Sequence, residues 1–239
     1  WNVVTKCVRF RCAARYALHA GARLRACTMA TLCSRITCAS RSALRHIVTG
    51  FFEAIGSVIC VPPAFSISSA NDEPLAITVK KVENGGFARW MNYKAAVGDI
   101  LFSTGISGFF VMPEQEHYER VFFLAAGSGI TPCFALIKFL LQKTDKNIFL
   151  IYSNRTEADT IFYDDLKLLQ EKFKARFIIR FLFSYKQQVL ESRLSHWLLS
   201  HLLEEYLPGN KSHTLFFTCG PADYMIMAGI SLRSNGILP

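Results

Sequence analysis

Apolar and polar positions alternate along residues 118–239 in two different rhythms. Short apolar runs of strand length are separated by longer segments in which apolar residues recur at helical spacing. This alternation predicts a parallel sheet whose strands are joined by right-handed helical crossovers. Strands are predicted at Val121–Ala125, Ile148–Tyr152, Phe177–Phe183 and Leu215–Thr218, and helices at Pro132–Lys143, Ile161–Phe173, Leu190–Tyr206 and Ala222–Ser234, with Gly236 as the C-terminal stop.

Residues 61–117 have a different texture. Leu75–Val82 alternates with the period of a strand, Asn84–Gly86 predicts a turn, and Ile100–Phe102 and Phe109–Met112 predict further short strands. Short strands joined by glycine turns indicate a small antiparallel sheet or barrel. The chain is therefore predicted to contain a β domain at 61–117 and an α/β domain at 118–239.

Residues 1–60 are basic, rich in Arg, Ala, Ser and Cys, and lack a clear period. All of the net charge of +9 resides in the first 50 residues, because residues 51–239 hold equal numbers of basic and acidic side chains. Three interpretations are open: a transit-peptide-like segment, a disordered basic arm, or sequence foreign to the fold, such as a mistranslated segment. Ala13–Ala26 and Arg41–Ile55 are expected to form isolated helices. The chain begins at Trp1, so a fragment is expected.

Composition limits the classes of partner. The balanced charge of residues 51–239 does not predict a nucleic-acid binder. No apolar run reaches the ~18–20 residues of a membrane span; the longest candidate, Thr49–Ala64, is interrupted by Glu53, Pro62 and Pro63. The cysteine spacings contain no CxxC pair and no plant-type iron–sulfur run, so no metal site is expected. We expect a cytoplasmic protein.

The turn after the strand Val121–Ala125 is the first candidate for chemistry. Gly127 and Gly129 permit a tight turn and a close approach to a ligand. Thr131 is predicted as the N-cap of the next helix and Pro132 as its first residue, and such a helix start favours a phosphate. The run lacks the third glycine of the G-x-G-x-x-G fingerprint. A tight connection without a ligand is the open alternative.

Two further segments could contribute chemistry. Thr218–Pro221 follows the last strand, which puts Cys219 at the carboxyl edge of the sheet, where open α/β folds bind ligands. The alternative is a buried structural cysteine. Phe65–Ser69 could stack an aromatic ring on a flat ligand and donate from hydroxyl groups, or it could be a strand end with polar caps.

The order of these segments resembles the ferredoxin–NADP reductase superfamily, and within it the reductase components of phenylacetyl-CoA-type oxygenases. The resemblance covers about residues 64–238 and implies a flavin-binding antiparallel barrel followed by a nicotinamide-nucleotide-binding α/β domain. It is carried by Phe65–Ser69, Ser66–Pro74, Thr78–Lys80, Asn84–Ala88, Ala125–Pro132, Tyr152–Thr156, Asn154–Phe162 and Cys219–Pro221.

The resemblance also implies a role for each matching residue. NAD(P)H would give a hydride to FAD, which would pass electrons to an iron–sulfur ferredoxin domain or an oxygenase component. Ser66 and Cys219 are the implied catalytic residues, beside the flavin and the nicotinamide. The implied FAD site comprises Phe65, Ser66, Ser68, Val79, Lys80, Gly85, Phe87 and Ala88, and the implied NADPH or NADH site comprises Gly127, Ser128, Gly129, Thr131, Pro132, Asn154, Arg155, Cys219, Gly220 and Pro221.

Departures from the family pattern predict a weak flavin site. Pro63 stands where the family has an Arg that pairs with the flavin phosphates, and Ala88 stands where it has a Ser. Residues 1–60 do not resemble the barrel's first strands, which favours a foreign segment. The 239 residues do not include the four-cysteine ferredoxin domain into which relatives often continue, so we expect either a gene product that stops at the reductase module or a fragment that has lost this domain. The hypotheses are a flavin-dependent NAD(P)H reductase, a non-catalytic nucleotide-binding remnant, and a basic-armed interaction protein.

Overall fold

The apolar runs of the C-terminal half form one parallel sheet in the computed structural model of the chain. The chain divides into two compact units, Trp1–Met112 and Pro113–Pro239, and each is described by itself. The structure describes residues 3–7, 65–70, 72–81, 86–97, 99, 108–113, 118–185, 192–209 and 211–237.

The second unit alternates strands and helices, as predicted. Its four strands are parallel, and their spatial order is β5 (Phe177–Phe183), β4 (Asn147–Asn154), β3 (Arg120–Ala126) and β6 (Thr214–Cys219). Helices cover the sheet, so the inner strand at Arg120–Ala126 is apolar and buried at every residue after Arg120. The elements are β3 Arg120–Ala126, α2 Ile130–Lys143, β4 Asn147–Asn154, α3 Tyr163–Lys172, β5 Phe177–Phe183, α4 His196–Tyr206, β6 Thr214–Cys219 and α5 Ala222–Ser234, following β1, β2 and α1 of the first unit.

Aromatic side chains fill the layer between the sheet and helices α4 and α5. Phe122 on β3 is fully buried and stacks on Phe149 of β4 and Phe216 of β6, with ring centroids 5.6 and 5.5 Å apart. Leu199 and Leu202 of α4 join the same core cluster. This packing fixes β4, β3 and β6 relative to one another, and with them the turns at their carboxyl ends.

Three helix starts differ from the predictions, each for a local reason. Helix α2 begins at Ile130, ahead of the predicted Thr131 cap, after a 3-10 turn at Gly127–Gly129. Helix α3 begins at Tyr163 because Phe162 has a φ of 60°. Helix α4 begins at His196, where Ser195 Oγ accepts a hydrogen bond from Leu198 N (3.1 Å).

The last helix follows its prediction at both ends. Helix α5 spans Ala222–Ser234, and Gly236 follows its cap residue with a φ of 77°. Gly236 N donates to Arg233 O (2.9 Å), and Ile237 N donates to Leu232 O (3.0 Å). This pair of hydrogen bonds is the Schellman ending expected of a C-terminal glycine.

The first unit is described as a two-stranded antiparallel sheet and one helix. Strand β1 (Val3–Cys7) pairs with β2 (Ala76–Lys80), and α1 (Gly86–Tyr93) packs against β2. The strand at β2 was predicted, whereas β1 was not. The barrel half of the predicted fold is thus visible only in part.

Two predictions for this unit were wrong where the structure describes them. The predicted turn at Asn84–Gly86 is contradicted at Gly86, which begins α1. The predicted strand Phe109–Met112 is irregular: Phe109 is fully exposed, and Val111 N bonds back to Phe109 O (3.0 Å) in a tight bend. The predicted elements Ile100–Phe102, Ala13–Ala26 and Arg41–Ile55 lie outside the described residues.

The described ranges contain neither a membrane-spanning helix nor a cluster of metal ligands. There, no helix has both the length and the apolar composition that a membrane crossing requires. Nor do three His, Cys, Asp or Glu side chains of those ranges lie together as metal ligands do.

Candidate nucleotide-binding site

The sheet order creates a switch point between β3 and β6. From β3 the chain proceeds outward through β4 and β5, and then returns to the other side of β3 as β6. In open α/β sheets the crevice at such a point, beyond the carboxyl ends of the strands, binds ligands. The turns Gly127–Gly129 and Cys219–Pro221 follow β3 and β6 there, since Ala125 is the register partner of Cys219.

Gly127 makes the turn after β3 possible. Its φ is 54°, in the left-handed region, and no atom lies within 4 Å of the position a Cβ would take. Its carbonyl oxygen accepts a hydrogen bond from the hydroxyl of Tyr152 (2.9 Å). Ser128, next in the turn, is exposed. This side of the turn therefore has open space beside Gly127.

Gly129 has a different role from the one expected. A Cβ at Gly129 would lie 2.2 Å from Cys219 O and 2.7 Å from Gly220 N. The close approach that this glycine permits is thus to the backbone of the neighbouring turn, within the protein itself. The two turns of the candidate site consequently touch without any side chain between them.

The first turn of α2 suits an anion. Gly129 occupies the N-cap position, and Ile130 N bonds to the carbonyl oxygens of Gly127 and Ser128. The prediction that Thr131 caps the helix is wrong: Thr131 lies inside it, and its hydroxyl donates to Ser128 O. No acidic residue lies in this first turn, so the positive end of the helix dipole is not neutralised locally.

Two thiols belong to this region. Cys219 is half-buried at the end of β6, and burial raises the pKa of its thiol. Cys133 is buried on α2, and its Sγ lies 3.4 Å from Gly129 O. The pKa of the Cys133 thiol is raised well above its usual value, mainly by burial and secondly by the nearby Cys219. Both thiols are therefore neutral near pH 7, which makes Cys219 a small polarizable group and a poor nucleophile.

The carboxyl end of β4 carries the predicted ribose-facing residues. Asn154 O and Arg155 O accept hydrogen bonds from Ser184 N (3.0 Å) and Tyr185 N (3.2 Å), which fix the backbone here. The Arg155 side chain is exposed. The following loop is held by Thr156, whose carbonyl and hydroxyl oxygens bond to nearby side-chain and backbone groups. An open cavity of about 450 Å³ beside this loop is lined by Glu157, Ala158, Thr160, Phe162, Tyr163, Asp164 and Asp165.

In the first unit, the predicted flavin-site residues are brought together only in part. Phe65 is half-buried, with its ring centroid 5.2 Å from that of Phe87, and Ser66 is exposed. Ser68 is buried, and its Oγ accepts from Thr78 Oγ1 (2.9 Å).

The other flavin-site predictions concern mostly backbone. The side chains of Val79 and Ala88 are buried in a small apolar cluster, so neither is free to meet a ligand. Lys80 ends β2 and is half-buried. Gly85 lies outside the described residues, but Gly86 is exposed at the start of α1.

Two tyrosines beside the site were not predicted from the sequence. The hydroxyl of Tyr152 on β4 donates a hydrogen bond to Gly127 O. The hydroxyl of Tyr224 on α5 donates one to Ala125 O, at a distance of 3.3 Å. A tyrosine inside an apolar strand run, as at Tyr152, was an available signal, because a buried phenol requires a partner. Nothing in the sequence identified which carbonyl that partner is.

Comparisons with known proteins agree with this geometry. A family model described as oxidoreductase NAD-binding domain matches residues 123–229. One subunit of the 1,2-phenylacetyl-CoA epoxidase from Escherichia coli is 32% identical over 171 residues, which cover 68% of this chain and 47% of that protein. The ferredoxin reductase component of 3-ketosteroid-9-alpha-monooxygenase from Mycolicibacterium smegmatis is 31% identical over 179 residues, or 74% and 47% of the two chains.

The solved structures extend the likeness to the fold. The ferredoxin-NADP+ reductase from Plasmodium falciparum is 21% identical and matches with a TM-score of 0.55 over 71% of this chain and 70% of that one. By contrast, the chain spans about half the length of the curated relatives it matches.

Proposed function

Since the chain belongs to the ferredoxin–NADP reductase superfamily, we propose that it binds NADH or NADPH and works as the nucleotide-binding part of a flavin-dependent reductase. The observation that carries this proposal is the contact between the turns after β3 and β6. Gly129 and Cys219 meet backbone to backbone at the switch point of the sheet, and a dinucleotide lies across such a crevice.

Each part of the site then has a task. The open side of Gly127, with exposed Ser128 and the first turn of α2, accepts the pyrophosphate through backbone N–H groups. The Cys219–Pro221 turn borders the nicotinamide, where a neutral thiol adds contact without charge. Asn154 and Arg155 face the adenine ribose. The chain's contribution is to position the reacting ring.

FAD, when bound, supplies the ring that takes up a hydride and releases electrons singly. The residues that would hold it are exposed Ser66, half-buried Phe65, and the start of α1 at Gly86. These fit a flat ring and a phosphate only through stacking and backbone donors. Pro63 has no charge, and Ala88 has no hydroxyl and is buried, so the charged and hydroxyl partners expected for the phosphates are missing at these two positions. We therefore propose that FAD is held weakly.

The proposed electron acceptor follows from the chemistry of FAD and from the proteins that this chain is similar to. Two relatives are a subunit of an epoxidase and a reductase component of a monooxygenase. We infer that electrons pass to an iron–sulfur ferredoxin domain or an oxygenase component. Exposed Arg155 supports NADPH over NADH, because a guanidinium pairs well with a ribose 2′-phosphate.

The test has two stages on the full chain. Titration with NADPH and with NADH, followed by quenching of tryptophan fluorescence and by calorimetry, measures nucleotide binding directly. Reduction of ferricyanide by NAD(P)H, with and without added FAD, then measures electron transfer. We expect nucleotide binding without additions, and ferricyanide reduction that depends on added FAD. A chain that binds neither nucleotide refutes the proposal, and a stoichiometrically yellow purified chain refutes the weak flavin site.

A non-catalytic nucleotide-binding remnant is the second candidate. It is favoured by the missing phosphate partners at Pro63 and Ala88. This candidate predicts nucleotide binding with no ferricyanide reduction at saturating FAD, whereas the reductase predicts turnover under the same conditions.

A further inference from the structure

Two buried phenols hold the end of β3 from its two sides. Tyr152 lies on β4 and is the register partner of Ala125, so its hydroxyl reaches past the strand end to Gly127 O at 2.9 Å. Tyr224 lies in the first turn of α5, and its hydroxyl meets Ala125 O at 3.3 Å. The carbonyls at the strand end and in the turn are thus each fixed by a side chain from another element.

Tyr224 also connects the two turns of the site. Its ring lies against Gly220, where a Cβ would be 3.0 Å from Tyr224 Cδ1. Because the same side chain bonds to Ala125, it ties the β6–α5 turn to the end of β3. Together with the backbone contact of Gly129 with Cys219, this gives the turns two independent connections.

The hydroxyls are committed to these bonds. Burial raises the pKa of Tyr152 and of Tyr224 far above the usual value, so both phenols are neutral donors at any physiological pH. The side chain of Asn154 lies beside the Tyr152 phenol and that of Ser153 beside the Tyr224 phenol. A buried donor that loses its acceptor is costly, so each bond restricts the carbonyl that it joins.

We propose that Tyr152 and Tyr224 are positioning residues for the nicotinamide nucleotide, which act by holding the Gly127–Gly129 turn against the Cys219–Pro221 turn. The inference rests on the proposed function, because it assigns the nucleotide to these turns. Neither tyrosine needs to touch the nucleotide. Their effect passes through the carbonyls of Gly127 and Ala125.

The test compares three phenylalanine substitutions that each remove one hydroxyl. Tyr152→Phe and Tyr224→Phe act at the carboxyl edge of the sheet. Tyr206→Phe is the matched control, because Tyr206 is half-buried on α4 and stacks on Phe149 near the beginning of β4 (5.7 Å). Each variant is titrated with NADPH and NADH by calorimetry, and its thermal unfolding is recorded alongside.

We expect the Kd of the nucleotide to rise about three- to tenfold in Tyr152→Phe and in Tyr224→Phe, the loss of one neutral hydrogen bond. Tyr206→Phe is expected to keep the wild-type Kd even if its Tm falls as much. If Tyr152→Phe does not fold, Tyr224→Phe decides by the same criterion. If the wild type binds nucleotide and the folded variants keep its Kd, the positioning role is refuted but the proposed function is not. A wild type that binds no nucleotide refutes the proposed function first.

Discussion

A Cβ added to Gly129 would lie 2.2 Å from the carbonyl oxygen of Cys219. Real Cβ atoms do not approach a backbone oxygen so closely, and neither backbone can yield without moving a turn. The contact is therefore a strict requirement for glycine at residue 129. It also means that the nucleotide-facing turns have one shared geometry.

Gly129→Ala should consequently separate the two turns. We expect a loss of about 1–3 kcal/mol in the free energy of unfolding, as for other overpacked buried positions, and a loss of nucleotide binding. Gly229→Ala is the matched control: Gly229 lies within α5, and no atom is within 4 Å of its Cβ position. That change should be neutral or stabilise by up to about 1 kcal/mol. Urea unfolding of both variants measures the difference, and equal losses would contradict the contact.

Arg155→Gln tests the proposed nucleotide preference. The exposed guanidinium is proposed to pair with a 2′-phosphate, a charge-assisted contact of about 1.5–3 kcal/mol. The Kd for NADPH should rise at least about tenfold while the Kd for NADH changes little. Arg193→Gln, at another exposed arginine, controls for the loss of one positive charge. An equal effect on both nucleotides would exclude recognition of the 2′-phosphate by Arg155.

The elements of the α/β unit were predictable because their cores have strong periods. The strand Phe177–Phe183 and the helix Ala222–Ser234 match their predictions at both ends. Helix starts were less predictable. The Thr131 signal was overridden because the chain turns at Gly127 and is already helical at Ile130, and the left-handed Phe162 stacks on Phe134 (4.1 Å), a tertiary contact.

The site was predictable as a set of turns but not as a set of contacts. The predicted strand ends indicated that Gly127, Gly129 and Cys219 lie at the same edge of the sheet. The sequence could not reveal that the space beside Gly129 belongs to Cys219, or that Tyr224 spans both turns, because these contacts join residues about 90 to 100 positions apart. In the first unit, the side chain of Phe109 is exposed, so the short apolar run Phe109–Met112 was a misleading strand signal.

Arg176 is expected to stabilise the far end of α2. Its guanidinium donates to Leu141 O and to Thr144 O (2.5 Å), carbonyls at the C-terminal end of the helix, and lies over the Phe173 ring. Arg176→Met should lower the free energy of unfolding by about 1–3 kcal/mol and leave the nucleotide Kd unchanged. Lys174→Met, at an exposed residue of the same loop, should change it by less than about 0.5 kcal/mol. Chemical denaturation distinguishes them, and equal effects would contradict the capping role.

The buried thiol of Cys133 should make the fold sensitive to alkali. Its pKa is raised in the folded state by burial and by Cys219, so its stabilising contribution is complete below the unfolded thiol pKa of about 8.5 and declines as pH rises beyond it, by up to about 1.4 kcal/mol per pH unit. Cys133→Ala should be somewhat less stable at pH 7 but lose less stability between about pH 8.5 and 10. Titratable groups that do not interact with Cys133 titrate alike in both proteins and cancel in the comparison. Denaturant titrations across this range measure the two slopes, and parallel slopes would mean that the folded state tolerates the Cys133 thiolate.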